Sequence, residues 1–254
     1  MGITLVYILN PRLHLEASSD FKLDGIELRC RSCHRKRSVR IGSFFENRRL
    51  SLRSCMKLLI DFCADVPGQA AAKVHHIHSN SVYNFYKDCR QRMGQMLREN
   101  PVTFNDWVYE CDEKSFNNVA DAAGIRRRMV VFGIYERYTG KVYLRRVVNR
   151  RRVTIEPIIR EKVEEGQVVM TDEHGAYYHL GDLEPVPYIN FTVNHRQGDY
   201  SHVDDVVSGD GEIEVTTNSL EGIWSQLKGR MIKRTRRNYR LLDEYLDEFM
   251  FRQH

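Results

Sequence analysis

Two periodicities divide the chain. From Leu52 to Leu97 apolar residues recur every three or four positions, the spacing of helices that each bury one face. "LSLRSCMKLLIDFCADV" carries a stripe at Leu52, Met56, Leu59 and Phe62–Cys63. "PGQAAAKVHHIH" reads as a short Ala-rich helix after a Pro-Gly break. "SNSVYNFYKDCRQRMGQML" opens with the capping residues Ser79, Asn80 and Ser81, then buries Val82, Phe85–Tyr86, Cys89, Met93 and Met96–Leu97. After "RENPVT" the apolar residues gather into short strand-like runs: one around Val108–Cys111, "MVVFGIYER" and "KVYLRRVV" joined by the turn "YTG", then "QVVMTD" and "INFTVNH". Helices are expected over "TIEPIIREKVEEG", closed by Gly166, over "NSLEGIWSQLKGRM" and over "RLLDEYLDEFMFRQ", with room for a short one in "GAYYHLGDLEP". In "NSLEGIWSQLKGRM" the stripe Leu220, Ile223, Trp224, Leu227, Met231 is regular, and Glu221 and Lys228 share a second face two turns apart. Residues 1 to about 50 show neither period and read as irregular. The segment "RQGDYSHVDDVVSGDGEIEVTT" reads as a long acidic loop.

Charge adds a partner class to this picture. The 254 residues carry a net +5 with pI about 8.9, and the basic residues are clustered. Arg29 to Arg53 holds nine Lys/Arg against one acid, Glu46, and Lys228 to Arg240 holds seven against none. Arg126–Arg128 and Arg150–Arg152 are further triplets. Such clustering fits a polyanion-binding surface. No apolar run approaches the roughly 18 residues of a membrane helix, and "MGITLVYILNP" lacks the basic lead-in of a signal peptide, so no membrane association is expected. Of six cysteines only Cys30 and Cys33 have a motif spacing, which predicts free thiols in a reducing compartment.

Three meandering strands followed by helix, strand, strand, helix and helix is the ribonuclease H-like arrangement: an α/β fold with a mixed sheet and helices on both faces. In it Asp112 ends the first strand, Asp172 ends the strand beside it, and the Glu221 helix packs over the same edge, so the three carboxylates converge. Glu113 and Glu173 directly follow the aspartates and are alternative ligands; His174, His195 and His202 lie near the motifs as ligands or behind them. Converging carboxylates need cations between them. Oxygen-only ligation selects Mg²⁺ or Mn²⁺, and two ions about 4 Å apart suit phosphodiester chemistry. Lys228 then lies where a phosphate would pass. The three helices of residues 51–98 suit a helix-turn-helix whose last member presents Tyr83, Asn84 and Lys87 to the major groove. There Asn84 reads adenine, and Lys87, Arg90 and Arg92 contact phosphates.

"CDEKSF", "VVFGIYERYTGKVYLRRVVNR", "VVMTDEHGAYYHL", "FTVNH", "TTNSLEGIWSQLKGRM" and "YLDEFMFRQ" occur in the order found in the Merlin superfamily of cut-and-paste DNA transposases and their bacterial insertion-sequence relatives. The resemblance covers roughly residues 28–254. It implies a DDE transposase over 105–254 with Asp112, Asp172 and Glu221 as the metal-binding triad. Asn218 falls on a motif asparagine, Lys228 on a motif basic residue and His195 on a motif histidine. The family often places a zinc ribbon and a helix-turn-helix ahead of that domain, and "LRCRSCHRKRSVRIGSFFE" looks like half of such a ribbon, so residues 1–50 read as a degenerate remnant. A ribbon needs two Cys pairs; with Cys30 and Cys33 alone, no structural zinc is expected. The 49-residue step from Asp172 to Glu221 is also long for the family, as if the acidic loop were an insertion.

Two functions follow. One is a transposase that cuts and joins double-stranded DNA at terminal inverted repeats and target DNA, working as a homo-oligomer on that DNA. The other is a degenerate or domesticated copy that binds DNA without cutting it. Either works where the DNA is: the nucleus of a eukaryote, otherwise the cytoplasm.

Overall fold

In β-strand Val108–Ala120 the residues from Val108 to Glu113 are all buried, on alternating faces, and one unit of the chain is built around this strand. The computed structural model describes residues 13–17, 23–120, 126–183, 186–194, 201–205, 212–234 and 241–254. His195 lies outside them. Two units are present, Met1–Cys89 and Arg90–His254.

The first unit begins with strands β1 (Leu13–Ala17), β2 (Ile26–Cys30) and β3 (Lys36–Ser38), an antiparallel meander in the order β1-β2-β3. Part of the stretch expected to be irregular is therefore a sheet. Asp24, between β1 and β2, accepts from Arg40 and from the backbone N–H of Leu52 (2.7 Å). Arg40 is buried, so this member of the basic run serves the fold and not a polyanion.

Helices α1 (Leu52–Cys63) and α2 (Gly68–Val74) follow, and α3 (Ser79–Glu99) gives its first half to this unit. Ser51 caps α1 by accepting from Ser54 N–H at 3.1 Å. The buried face of α1 is Cys55, Leu58 and Phe62, while Met56 is 44% exposed. The stripe is thus rotated by about one residue from the expected one, because Phe62 turns toward Tyr86, ring centroids 5.1 Å apart. Val82, Phe85, Tyr86 and Cys89 of α3 are buried as their spacing requires.

The second unit is built on a five-stranded mixed sheet of β4 (Val108–Ala120), β5 (Arg126–Glu136), β6 (Val142–Val147), β7 (Val168–Asp172) and β8 (Ile189–Val193), in the order β6-β5-β4-β7-β8. The β6-β5-β4 part is antiparallel; β4-β7-β8 is parallel. Gly140, at φ +73, makes the β5–β6 turn. Helix α4 (Arg152–Lys162) and the segment around Tyr177, Leu180 and Tyr188 cover one face, packing Ile155, Ile158 and Ile159 on Cys111, Phe132, Ile134 and Val169. Helices α5 (Asn218–Arg234) and α6 (Leu242–Gln253) cover the other, with Leu220, Ile223, Trp224 and Leu227 on Val131 and Leu144. This α/β architecture of mixed sheet and flanking helices is compatible with the ribonuclease H-like arrangement.

Two expectations are corrected here. Asp112 does not end its strand: β4 continues along β5 to Ala120, and only its ladder with β7 stops, at the pair Glu110–Met170. The acidic segment also contains a hairpin, β9 (Ser201–Asp205) and β10 (Glu212–Thr216). Its inward residues Ile213 and Val215 pack on Val108, Val168, Met170 and Val193, so this part is a piece of the core. The alternation Glu212-Ile213-Glu214-Val215 is the sequence signal for it.

Gly133 pairs with Asp112 across β5 and β4. A Cβ at Gly133 would stand 2.8 Å from the indole of Trp224, so the bare backbone is what lets the ring lie on the sheet. Gly133→Ala is expected to destabilise the chain by about 1–3 kcal/mol through overpacking, read as a lower urea midpoint at unchanged slope.

Candidate functional site

Beyond Glu110 and Met170 the β4 and β7 chains part, and the notch between them receives side chains from both faces of the sheet. Asp112, Glu113 and Asp172 meet there, each offering a ligand atom within 4.8 Å of the others. Among the described residues this is the one group of three or more His, Cys, Asp or Glu side chains arranged to hold a metal. The notch opens into a cleft of about 290 Å³ lined by these three with Lys114, Ser115, Arg150 and Glu221.

Each acid is held differently. Asp112 is 8% exposed and accepts from Trp224 Nε1 at 2.8 Å. Burial first, and then the Asp172 charge, push its pKa up to about 7, while the indole bond opposes them. Asp172 is half-buried; its Oδ1 accepts the backbone N–H of His174 at 3.1 Å, a local turn that orients the carboxylate. Glu113 is 1% exposed, and neither carboxylate oxygen has a hydrogen-bond partner. Burial raises its pKa; the Tyr177 hydroxyl approaches closely enough to oppose this, though without bonding geometry. Arg150 reaches the same residue through the backbone, its Nη2 donating to the Glu113 carbonyl at 2.5 Å.

Glu221 borders the cleft outside that group. Both its oxygens accept from Lys114 Nζ, at 3.1 and 2.8 Å, on a half-exposed surface. What aims α5 at the cleft is Glu110, a fully buried acid on the same face of β4 as Asp112. Its Oε2 accepts the Leu220 N–H at 2.9 Å in the first turn of the helix, where unpaired amides favour an anion. Sequence reading passed over Glu110 and Lys114, and took Arg150 only as part of a basic triplet. The period-two placement of Glu110, Asp112 and Lys114 in "VYECDEK" is the signal that could have found the first two.

The remaining sites named from sequence scatter. Asn218 and Lys228 are exposed at the start and middle of α5. Tyr83 and Asn84 are exposed on α3, with Lys87 half-buried. Arg92 lies 3.6 Å from Glu99 on the same helix. Arg90 is a correction: it is 4% exposed, 3.8 Å from Glu248 and 4.0 Å from Glu244, with its guanidinium over the Tyr245 ring. The α3 face turned toward α6 buries it, so it does not meet phosphates. Cys30 ends β2 and Cys33 is exposed in the next turn; none of the six cysteines forms a disulfide. No helix among the described residues is long and apolar enough to cross a membrane.

A mixed sheet whose parallel ladder opens into a carboxylate-lined cleft defines an α/β domain with an acidic cluster that could hold a metal ion. Residues 104–254 match the ISXO2-like transposase domain, and the chain belongs to that family. The match is of the insertion-sequence-related DDE kind that the motifs resemble. No curated protein matches the chain. Among solved structures it is similar to a chain of the simian T-cell lymphotropic virus intasome in complex with PP2A regulatory subunit B56 gamma. That similarity covers 77% of this chain and 67% of the other, at 11% identity and a TM-score of 0.35. At that score it bears on neither fold nor function.

The raised pKa of Asp112 has a measurable sign. Between its ordinary value of 3.8 and about 7 the folded chain binds this proton more tightly than the unfolded chain, so the group's contribution to stability falls as pH rises across that window. With a chelator present, the unfolding midpoint should drop more between about pH 5 and about pH 7.5 in the wild type than in Asp112→Asn.

Proposed function

We propose that the chain is a DNA transposase whose cleft cleaves and joins phosphodiesters at terminal inverted repeats. The observation that carries this reading is the convergence of Asp112, Glu113 and Asp172 at the mouth of the β4–β7 ladder in a chain of the transposase family. Asp112 and Asp172, joined by Glu221 across the cleft, form the acidic set. The donors are all carboxylate oxygens, and two of them, on Glu113, are buried without hydrogen bonds. Such a set fits Mg²⁺ or Mn²⁺, one or two ions of which would supply the charge that activates a water or 3′-hydroxyl and steadies the leaving oxygen.

The chain's own groups then have distinct tasks. Trp224 holds Asp112 in place through its indole N–H. Lys114 and Arg150 line the cleft as cations beside which a phosphate can pass. Asn218, Lys228 and Arg230 extend the surface along the DNA. His195, outside the described residues, corresponds to the motif histidine by sequence. The helices α1 to α3 act as a helix-turn-helix, with Tyr83, Asn84 and Lys87 facing the major groove. Residues 1–50 are the ribbon remnant, with Cys30 and Cys33 its surviving pair. The working form is a homo-oligomer on double-stranded DNA.

One observation favours the second reading, a DNA-binding copy that does not cut: Glu221 is paired with Lys114 and stands outside the acidic group. Plasmid carrying candidate terminal repeats separates the two. Nicking in Mg²⁺ supports the enzyme; binding without nicking supports the other. In Asp172→Asn nicking should be lost, by at least about a hundredfold, with DNA affinity nearly unchanged, because a neutral amide cannot balance the ion. Lys228→Ala should weaken binding to every DNA sequence alike and lower the slope of log affinity against log salt by about one unit. An unchanged slope with a lower thermal midpoint assigns that lysine to the fold instead.

A further inference from the structure

Adjacent residues of a strand point to opposite faces, so Asp112 and Glu113 should serve different layers. Up to Cys111 they would: Glu110 and Asp112 face α5, while Tyr109 and Cys111 face α4. At Glu113 the neighbouring strand β7 has already left the ladder. The side chain rises through the opening and joins Asp112 and Asp172 from the far face.

Its surroundings do not explain it as a structural acid. Arg150, the nearest guanidinium able to neutralise it, hydrogen-bonds the Glu113 carbonyl and not its carboxylate. His174 Nδ1 stands 3.7 Å away and is close enough to the Ala176 N–H, at 3.4 Å, to accept from it. The Tyr177 hydroxyl is likewise without a partner. A carboxylate 1% exposed with two unbonded oxygens is costly unless a cation meets it. Formal charges around the cleft agree. Asp112, Glu113, Asp172 and Glu221 bring four negative charges, Lys114 and Arg150 two positive ones, and the excess of two is the charge of one divalent ion.

We infer that Glu113 is itself a ligand of the divalent cation, sharing it with Asp112 and Asp172, so that the site uses a fourth acid beyond the Asp-Asp-Glu set. Glu221 then closes the cleft from the Lys114 side. This assignment rests on the reading of the cleft as a Mg²⁺ or Mn²⁺ site.

The test is Mn²⁺ binding to the full chain after dialysis against chelator, followed by calorimetry and by loss of the free-ion paramagnetic resonance signal, with thermal midpoints measured alongside. In Glu113→Gln, Mn²⁺ affinity should fall at least tenfold. In chelator the same variant should melt above the wild type, because an unpaired buried charge is gone; a structural acid would give the reverse. Asp172→Asn serves as the control. If it loses Mn²⁺ while Glu113→Gln binds like the wild type, the role of Glu113 is wrong and the cation site stands. If the wild type binds no Mn²⁺, the cation reading fails as a whole. Should Glu113→Gln not fold, Glu113→Asp decides: its charge is retained but drawn back, so weaker Mn²⁺ binding supports the ligand and wild-type affinity overturns it.

Discussion

The contact on which the second unit turns is the indole of Trp224, seated on Gly133 and bonded to Asp112. It joins three requirements in one place. The ring is a large apolar body that must leave water, its N–H must find an acceptor once buried, and Asp112 needs a donor to remain an acid inside the protein. A side chain at Gly133 would lift the ring, and with it both the helix face and the aspartate. Glu110 fixes the same helix one turn earlier, by accepting from an amide of its first turn. Packing and site geometry are therefore one constraint: α5 cannot shift along the sheet without breaking a buried hydrogen bond at Asp112 or at Glu110.

The acids themselves oppose the fold. Three carboxylates within 4.8 Å repel one another, and burial raises the pKa of Asp112 and Glu113. Such an arrangement persists because the rest of the sheet over-determines it: apolar cores on both faces and a hairpin closing the edge over Val108, Val168 and Met170. Strain of this kind, held by a rigid surround, is the usual mark of a site rather than of a scaffold.

Basic composition overstates the surface left for a polyanion. Arg40 closes on Asp24, and Arg48 lies over Phe44 and Phe85 while pairing with Asp88. Arg90 is buried against Glu244, Glu248 and Tyr245. A guanidinium can cover aromatic faces and answer a carboxylate at once, so a run of arginines is partly interior. Lys228, Arg230, Arg151 and Arg152 keep the exposed positions that such a surface needs.

Local pattern alone was enough for the order of elements in the second unit apart from β9 and β10. The periods of two and 3.6, the Tyr-Thr-Gly turn and the stripe of α5 are all short-range, and each carries its own signal. Asp112 and Asp172 were legible because they sit at the boundary where an apolar run becomes polar. The Glu212–Thr216 strand had its signal too, but an excess of nearby acids masked it. The tertiary structure alone decided the rest. It showed that β4 outlasts its ladder with β7, which no run of residues encodes and which admits Glu113 to the cleft. It turned the α1 stripe toward Tyr86, drew Arg90 inside and set Lys114 against Glu221. Each of these depends on which distant segment lies opposite, and charge–charge and packing energies act through space, not along the chain.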